Sequence, residues 1–320
     1  MQIIRHIDDP ALALNGACVT LGNFDGIHLG HQALIRSAVD DAKRLNIPSA
    51  VLTFEPHPLR VIAPDRAPRM LLGHKDKMQL LRALGVDCVV IQQFDRSFAA
   101  IPAEDFVRKY LTERLRAKKV WVGKDLRFGK GRGGDIDKLR AWGAQLGYEV
   151  GVVEPVMVCG ERVSSSRIRE LISAGDVAAV LPMLARHYFI SGRVASGHRR
   201  GRELGFPTAN IASRAEILPR DGIYATLFQL GDQLLPSVTS IGLNPTFGAG
   251  PRTVESYILS FDRDIYGESV KLSFVARLRD ERKFASVQSL IEQIHLDVAD
   301  AATILGRLGF ASRPAAGAKS

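Results

Sequence analysis

The sequence is poor in cysteine, in long hydrophobic runs and in tracts of a single charge, and each shortage excludes a class of protein. Its three cysteines, Cys18, Cys88 and Cys159, are too few and too far apart for a disulfide framework or a zinc cluster, so we expect buried free thiols. No run of about eighteen apolar residues occurs that could cross a membrane. The N-terminal segment 1–9 carries acids where a signal peptide would be apolar. These absences predict a cytoplasmic protein without a membrane partner.

The charge balance is mildly basic without being concentrated in one place. The net charge is +9, but the lysines and arginines are scattered among acids and form no recognisable DNA- or RNA-binding module. Such an excess suits phosphorylated small molecules as well as nucleic acid. An apolar content of 46% with 24% charged residues describes a well-cored globular protein, and a length of 320 residues favours two domains over one.

A strand, a glycine-rich turn and a helix are predicted close to the start of the chain. The apolar run 17–21 precedes the sequence Gly-Asn-Phe-Asp-Gly-Ile-His-Leu-Gly-His at 22–31, and a helical pattern covers about 30–45. The N-terminus of such a helix presents free backbone N–H groups, which bind anions. This segment therefore predicts a phosphate site.

Two histidines in this segment strengthen the prediction. His28 and His31 are three residues apart and fall on one side of the first helical turn, and Gly30 between them leaves room for a bulky ligand near the backbone. The two imidazoles can then hold one polyphosphate from two points. Taken alone, the pair also fits ordinary turn and cap histidines, and together with Asp25 it fits a metal site.

Apolar and amphipathic segments alternate through the first part of the chain. Strands are predicted at 17–21, 49–54, 88–94, 120–123 and 148–153. Amphipathic stretches between them cover 32–45, 75–84 and 103–115. This alternation predicts a parallel, doubly wound α/β sheet of the Rossmann type, with ligands at the carboxyl ends of its strands. We place the end of this α/β domain near Arg186, so that it covers residues 1–186.

Three further segments of this domain place polar groups at strand or helix ends. Phe-Glu-Pro-His-Pro at 54–58 closes a strand with a two-proline loop that holds His57 at the same sheet edge as His28. The segment 122–131 combines glycines, cations suited to a phosphate and an aromatic able to stack on a ring. Ser-Ser-Ser-Arg-Ile-Arg at 164–169 opens a helix with hydroxyls and a guanidinium. Each of these segments alone is also explained as a braced turn or a serine cap.

Beyond Arg186 the pattern changes to short strands separated by Gly, Pro, Asn and Asp. Strands are predicted at 188–194, 222–230, 238–241, 253–261 and 269–278. They indicate a small β-barrel of the six-stranded type, closed by an amphipathic helix at 287–304. The barrel domain is predicted to cover residues 187–310, followed by a disordered tail at 311–320.

Two parts of the barrel domain carry groups that suit phosphate chemistry. The segment 192–206 is interpreted as a glycine- and arginine-rich loop for a triphosphate, and the Pro-Thr-Ala-Asn turn that follows offers a hydroxyl and an amide oxygen to Mg²⁺. On the strand 253–261, Glu255 shares a face with Tyr257. We expect this carboxylate at the edge of the barrel interior, although the residues alone also fit a solvated strand carboxylate.

The order of these motifs resembles that of bacterial bifunctional riboflavin kinase/FAD synthetases. The FAD synthetase module of that family is similar across residues 1–186, and its riboflavin kinase module is similar from there to about residue 310. The segments that carry the resemblance are 22–31, 54–58, 122–129, 164–169, 192–210, 240–248, 254–258, 264–267 and 278–284. One departure is Leu126, where the family usually has a second aromatic residue, and it leaves open how the isoalloxazine is held.

The resemblance implies two ATP-dependent reactions and a role for each motif. Riboflavin would be phosphorylated to FMN in the barrel, and FMN would be adenylylated to FAD in the α/β domain with release of pyrophosphate. Glu255 is implied as the general base of the first step, and His28, His31 and Arg167 as catalytic groups of the second.

The same resemblance assigns binding residues. The residues implied for ATP are Gly22, Phe24, Asp25, His57, Ser164, Ser165, Gly192, Arg193, Gly201, Arg202 and Thr208. The residues implied for the flavin are Asp125, Arg127, Phe128, Asn244 and Arg279. Thr208 and Asn210 are implied as the protein ligands of Mg²⁺.

Two alternative functions fit some of the same observations. An adenylyltransferase for another phosphorylated acceptor would keep the fold and use the barrel only for binding. A nucleic-acid-binding protein would explain the basic balance and the small β-barrel. The motifs favour the flavin enzyme, whose partners would be riboflavin, FMN and ATP, without nucleic acid, in a monomer or a weak homo-oligomer.

Overall fold

The computed structural model describes residues 1–196, 204–243 and 252–310. The chain divides into two compact units, one made of Met1–Arg69 and His74–Ser165 and the other of Met70–Gly73 and Ser166–Ser320. This division falls ahead of Arg186, where we placed the boundary, because the helix after Ser165 packs with the second unit. The predicted tail 311–320 lies outside the described residues.

The first unit contains a six-stranded sheet in which every strand pair is parallel. In chain order its strands are β1 (Gln2–Ile4), β2 (Ala17–Leu21), β3 (Ser49–Glu55), β4 (Cys88–Gln93), β5 (Ala117–Gly123) and β6 (Glu149–Val153). The spatial order is β1-β4-β3-β2-β5-β6. The predicted doubly wound α/β sheet is therefore confirmed. Strand β1 was not predicted, because three residues are too few to give a periodic signal.

Helices connect the strands of this sheet. They are α1 (Leu29–Leu45), α2 (Pro58–Ile62), α3 (His74–Ala83), α4 (Arg96–Ala99), α5 (Ala103–Asp105) and α6 (Ile136–Leu146), with 3₁₀ turns at Pro64–Arg66 and Lys130–Arg132. The stretch Phe106–Arg114 after α5 is a π-helix, so the helix predicted at 103–115 has a wider turn than expected. A short hairpin, β7 (Met157–Val158) and β8 (Glu161–Arg162), ends the unit.

Central strands of the sheet are buried on both faces, as a parallel sheet covered by helices requires. All five residues of β2 are buried, and Val19, Leu52, Val90 and Val120 have no exposed surface. Cys18 and Cys88 are buried as predicted. The prediction is wrong for Cys159, which is exposed because it occupies the turn between β7 and β8.

The second unit is built around a closed six-stranded antiparallel barrel, which confirms the predicted β-barrel. Its strands are β9 (Tyr188–Ala195), β10 (Thr208–Ser213), β11 (Gly222–Leu230), β12 (Gln233–Leu243), β13 (Arg252–Ile258) and β14 (Ser269–Arg279). Two helices precede it, α7 (Ser165–Ala174) and α8 (Leu181–Leu184), and α9 (Val287–Gly306) follows it. Helix α9 packs on the barrel through Ala301 and Leu305.

Two local predictions in this unit are wrong. Thr208 and Asn210 do not form a turn but lie in the first half of strand β10. The sequence did not predict this strand because few of its residues are buried. Gly192 and Arg193 belong to strand β9, which agrees with the strand predicted at 188–194 and not with the loop predicted over 192–206. A Cβ atom on Gly192 would lie 2.7 Å from the Ala212 carbonyl oxygen on the neighbouring strand, so this glycine allows two strands to approach closely.

Candidate active sites

The glycine-rich loop, residues 22–31, connects β2 to the N-terminus of α1. Its backbone is unusual, because Phe24, Gly26 and Ile27 have φ values of 48°, 81° and 40°. Such left-handed conformations are costly for non-glycine residues and are found where the surrounding structure enforces them. Here the side chains of Phe24 and Ile27 are both 1% exposed, so the hydrophobic core holds the loop in shape. Phe24, which the family resemblance implies for ATP binding, is therefore almost entirely buried as a residue.

His28 is the N-cap residue of α1, and its Nδ1 accepts a hydrogen bond from the His31 backbone N–H at 3.3 Å. The two imidazoles stack, with ring centroids 3.7 Å apart and an interplanar angle of 18°. A Cβ atom on Gly30 would lie 3.2 Å from His28 Cε1. Gly30 therefore makes room for the His28 ring, whereas we had expected it to admit a ligand.

His31 has the electrostatics of an uncharged imidazole. Burial lowers its pKa well below the ordinary value, and the neighbouring His28 and Lys77 lower it further. Its Nδ1 atom is buried and has no hydrogen-bond partner in the structure. A buried nitrogen without a partner at a helix N-terminus is available to a ligand that supplies one.

Two more of the predicted residues meet the glycine-rich loop. His57 caps α2 and lies at the same sheet edge as His28, as expected, because its Nε2 is 3.1 Å from Asn23 Nδ2. Ser165, the first residue of α7, donates its hydroxyl to the Asp25 carbonyl oxygen at 2.9 Å. The loop, His57 and Ser165 are thus brought together from segments far apart in sequence.

The remaining predicted residues of this group are placed as follows. Gly22 directly follows β2, and its N–H donates to the Leu52 carbonyl at 3.1 Å. Asp25 is 3% exposed. Ser164 is half-buried and directly precedes α7. Arg167 lies on α7 in the second unit, with its Nη1 atom 3.4 Å from a Glu170 carboxylate oxygen.

The residues predicted from segment 122–131 do not form one compact cluster. Asp125 pairs with Arg162 of the β7–β8 hairpin, and the side chain of Arg127 is exposed. Phe128 is only 9% exposed, and its ring packs 5.6 Å from Phe106 and 6.4 Å from Trp142 by centroid distance. Phe128 is therefore largely a core residue. Leu126, the departure from the family pattern, packs against the same core.

Sequence reasoning missed two features of this unit. Lys77 is 5% exposed and donates to the Asn23 carbonyl, although its position in an amphipathic helix suggested a surface residue. Three half-buried phenylalanines, Phe54, Phe94 and Phe98, contact one another with ring centroids 5.7–5.9 Å apart. Phe54 lies near the end of β3 and Phe94 directly follows β4, a position that could have marked them as a ligand-facing cluster.

The second candidate site lies on two neighbouring antiparallel strands, β10 and β13. Their register places Thr208 opposite Tyr257 and Asn210 opposite Glu255. Side chains two residues apart share a face of a strand, so these four side chains lie on one face, and we call them the cross-strand cluster. Thr208 Oγ1 is 3.4 Å from Glu255 Oε2. The cluster gathers hydroxyl, amide and carboxylate oxygens.

This face points outward, so the expectation that Glu255 lies at the edge of the barrel interior is wrong. Val254 and Ser256, on either side of Glu255, are 4% and 0% exposed and point inward. Tyr224 and Phe274, both without exposed surface, pack in the interior. Glu255 faces a cleft outside the barrel instead.

A cavity of about 650 Å³ occupies that cleft. It is lined by Phe206, Thr208, Ile223, Val238, Ser240, Glu255, Tyr257, Arg279, Glu281, Arg282, Lys283, Phe284, Leu290, Ile294, Asp297 and Val298. A smaller cavity of about 190 Å³ is lined by Val194, Pro207, Thr208, Ala209, Ser256, Ile258, Phe261, Asp262, Arg263, Asp264, Ile265 and Tyr266. Thr208 lines both cavities, so a molecule in one would lie beside a molecule in the other.

Arg279 joins the large cavity to helix α9. Its Nε and Nη2 atoms donate to the two carboxylate oxygens of Asp297 at 2.8 and 2.6 Å, and its Nη1 donates to the Asp280 carbonyl at 2.9 Å. Three of its nitrogens are thus engaged within the protein. The predicted residues Gly201, Arg202 and Asn244 lie outside the described residues, and Arg193 is an exposed residue of β9.

Across residues 1–196, 204–243 and 252–310 no helix has the length and apolar character needed to cross a membrane. Within the same ranges no group of three or more His, Cys, Asp or Glu could hold a metal ion. The histidine pair with Asp25 is therefore not assembled as a metal centre.

A parallel α/β unit with a glycine-rich loop at a helix N-terminus is followed by a closed barrel with an oxygen-lined cleft, and the family models that match the two parts are those of transferases. The FAD synthetase family model matches residues 11–167, and the riboflavin kinase family model matches residues 184–305. The chain belongs to the family of bifunctional riboflavin kinase/FMN adenylyltransferases.

Individual relatives support this membership over nearly the whole chain. The bifunctional riboflavin kinase/FMN adenylyltransferase of Escherichia coli (strain K12) is 37% identical over 308 residues, which cover 96% of this chain and 98% of that protein. The protein of the same name from Haemophilus influenzae is 36% identical over 299 residues, with 93% and 97% covered. A crystal structure described as a macrolide-efflux protein from Streptococcus pneumoniae is similar with a TM-score of 0.84 and 31% identity, covering 93% of this chain and 97% of that one.

Proposed function

We propose that the chain phosphorylates riboflavin with ATP in the barrel, giving FMN and ADP, and then adenylylates FMN with a second ATP in the α/β unit, giving FAD and pyrophosphate. The observation that carries the proposal is the cross-strand cluster, because the strand register brings Thr208, Asn210 and Glu255 together from two separate motifs. The matched families support both reactions. In each reaction the chain positions reactants and neutralises charge at phosphorus.

For the kinase step, we assign the large cavity to the flavin and the small one to the nucleotide. The large cavity has apolar walls suited to a ring system, and Glu255 lies on its surface. Glu255 takes the proton of the ribityl hydroxyl as that oxygen bonds to the γ-phosphorus, and the bond from phosphorus to ADP breaks in line. Thr208, which lines both cavities, lies where the two substrates meet.

The cross-strand cluster fits Mg²⁺ in its donor chemistry. Thr208 Oγ1 and Asn210 Oδ1 are hard oxygen donors, and Mg²⁺ in proteins commonly takes one or two such ligands together with substrate phosphates and water. When bound with ATP, the ion would neutralise charge on the phosphates. Thr208 and Asn210 would hold it there.

For the adenylyl step, we assign the glycine-rich loop to the polyphosphate of ATP. The FMN phosphate attacks the α-phosphorus, and no strong base is needed because that phosphate is already anionic. The N–H groups at the start of α1 and the His28–His31 pair donate hydrogen bonds to the departing pyrophosphate. Because its pKa is held well below the ordinary value, His31 acts as a neutral donor. Ser165 and Arg167 are also assigned to stabilising the departing pyrophosphate, as the family resemblance implies.

One assay tests the proposal as a whole. The full chain is incubated with riboflavin and ATP, and riboflavin, FMN and FAD are separated by chromatography over time. FMN should form first and FAD second. An enzyme that adenylylates another phosphorylated acceptor but neither forms nor consumes FMN would contradict the proposal, as would salt-dependent nucleic-acid binding without flavin turnover.

Three finer predictions accompany the proposal. We expect the protein to act in the cytoplasm, as a monomer or a weak homo-oligomer, and without a nucleic-acid partner. Sedimentation at several protein concentrations tests the second of these.

The kinase activity should reside in a fragment that begins near Arg186.

A further inference from the structure

A buried lysine that the proposed mechanism does not use lies under the glycine-rich loop. Lys77 on α3 is 5% exposed, which is rare for a lysine. Its Nζ atom donates to the Asn23 carbonyl oxygen at 2.7 Å and to Thr53 Oγ1 at 2.8 Å. Burying an ammonium costs free energy unless the group is hydrogen-bonded. The elements that supply its two acceptors indicate the role of Lys77.

The two acceptors belong to adjacent strand ends. Asn23 is the second residue of the glycine-rich loop, and Thr53 lies on β3. The Thr53 hydroxyl is also 3.4 Å from the Asn23 carbonyl oxygen. The Asn23 side chain in turn meets His57. Lys77 thus ties the start of the loop to the neighbouring strand, directly before the left-handed residues Phe24 and Ile27.

The charges around Lys77 and His31 come from a small set of groups. Burial lowers the pKa of Lys77 to about 8, while Glu55 and Asp25 raise it. Glu55 itself accepts from His74 Nδ1 at 2.7 Å. On the other side, His31 is influenced by burial, by His28 and by Lys77. Lys77 therefore remains largely charged at neutral pH and acts on His31.

We propose that Lys77 is a positioning residue for adenylyl transfer, which fixes the glycine-rich loop through the Asn23 carbonyl and supplies a buried positive charge to the His28–His31 pair. The inference rests on the proposed assignment of that loop to the polyphosphate. A fixed cation in a site of low dielectric constant stabilises a developing pyrophosphate charge without reorganisation. It also favours the neutral form of His31, so this imidazole remains a hydrogen-bond donor of fixed geometry.

The test compares Lys77→Met with Lys77→Arg in the full chain. Methionine fills a similar volume without charge, whereas arginine keeps the charge. For Lys77→Met we expect FMN adenylylation kcat to fall roughly tenfold or more while riboflavin phosphorylation stays within about twofold. Lys75→Met, two residues away on the same helix and exposed, is the matched control and should change neither activity.

Titration of His31 gives a readout that a merely structural role would not move. In Lys77→Met the pKa of His31, followed by NMR of the labelled imidazole, should rise, and the acid limb of the adenylylation pH profile should move to higher pH with it. Lys77→Arg should keep the low pKa. An unchanged His31 titration in Lys77→Met, or adenylylation within about twofold of wild type, would overturn the inference.

A second variant keeps the inference testable if Lys77→Met does not melt cooperatively. Thr53→Val removes one acceptor of the ammonium and retains the charge, so the KM for ATP in adenylylation should rise with the kinase unchanged, and an unaltered KM would contradict the inference. His28→Ala distinguishes failure of the proposed adenylyl site from failure of the proposed role of Lys77. Intact FAD synthesis in His28→Ala overturns the proposed site, whereas a damaged His28→Ala beside a fully active Lys77→Met overturns only the role of Lys77.

Discussion

The glycine-rich loop and the cross-strand cluster, our two proposed phosphate sites, offer opposite chemistry. The loop offers donors: the N–H groups at the start of α1 and two stacked imidazoles, with the buried charge of Lys77 acting on His31. The cluster offers acceptors: the hydroxyl of Thr208, the amide oxygen of Asn210 and the carboxylate of Glu255. Donors bind phosphate directly, whereas acceptors need a cation between them and the phosphate.

The difference follows from the backbone that carries each site. A helix N-terminus concentrates N–H groups and a positive partial charge at one point. A strand face instead presents side chains at fixed spacing with its backbone groups used in the sheet, so only side-chain oxygens remain. From this difference we expect the proposed adenylyl site to depend little on protein-bound metal and the proposed kinase site to depend on it strongly. The following experiments test this contrast.

The largest effect is expected from Glu255→Gln, which keeps shape and hydrogen bonding but cannot take a proton. Kinase kcat should fall by about 10²–10⁴-fold, the usual contribution of a general base. FAD synthesis from supplied FMN should survive, because the other unit performs it. Steady-state rates of both reactions are the measurement, and Glu268→Gln, an exposed carboxylate at the end of the barrel, is the control. A kinase kcat within about twofold of wild type would show that Glu255 is not a general base but a solvated carboxylate on the strand.

His28→Ala is the corresponding change at the glycine-rich loop. Removing one preorganised donor should lower FAD synthesis by roughly 10²–10³-fold and leave FMN production nearly intact. The exposed His6→Ala in the same unit controls for loss of an imidazole. Equal losses in both reactions would instead indicate a folding role for His28.

Asn210→Ala separates the two sites by their metal dependence. The kinase should lose most of its turnover, by about tenfold or more, and what remains should need a higher Mg²⁺ concentration, because one of two protein ligands is gone. The Mg²⁺ dependence of the adenylyl step should not change. Rates measured across a Mg²⁺ titration decide the matter, and an unaltered kinase curve would make Asn210 a structural residue.

Two fragments sharpen the contrast between the units. A fragment beginning at Ala185 should phosphorylate riboflavin without making FAD, and one beginning at Ser166 should do the same with a higher melting temperature. The reason is that Arg220 N–H donates to the Ile172 carbonyl at 3.3 Å and a Cβ on Gly175 would lie 2.8 Å from Arg277 Cδ, so the segment after Ser165 packs on the barrel. Circular dichroism and thermal melting check folding. A folded fragment without kinase activity would refute the placement of the kinase in the barrel.

The smallest effect concerns stability of the α/β unit alone. Burial would raise the pKa of Asp41, but hydrogen bonds from Arg44, Lys119 and Trp121 lower it to about 2. A carboxyl whose pKa falls on folding stabilises the protein above its unfolded pKa and loses that effect as the pH drops towards 2. Asp41→Asn should therefore lower the free energy of unfolding at pH 7 by about 2 kcal/mol and flatten its decline between about pH 4 and pH 2.

Denaturant titrations at several pH values measure this prediction. Asp40→Asn, an exposed neighbour on the same helix, is the control and should change little. An Asp41→Asn protein with wild-type acid sensitivity would show that the Asp41 hydrogen bonds contribute nothing measurable.

Local signals in the sequence predicted much of the fold and part of the sites. The α/β alternation and the barrel strands depend on residues close in sequence, and the structure confirms them. Strand β10 was missed because its polar face leaves few buried residues to reveal a period of two.

The remaining features depend on contacts that no local pattern records. The burial of Lys77 follows from Thr53 and Asn23 on other elements. The outward direction of Glu255 depends on which face of β13 the barrel encloses, and that is settled only when Ser256 joins Thr239 inside, with their hydroxyl oxygens 3.0 Å apart. Alternation along one strand fixes that two faces differ, but not which of them is inside.

Helix α9 has buried residues over only half of its length. Its buried residues are Asp297, Ala301 and Leu305, and all of 287–296 is at least partly exposed along the wall of the large cavity. Amide hydrogens in that first half should therefore exchange through local opening, well before the barrel unfolds. A flavin in the cavity would give Leu290 and Ile294 the packing they lack. Ordering this segment would cost conformational entropy, so the measured binding free energy would be smaller than the free energy of the flavin–protein contacts themselves.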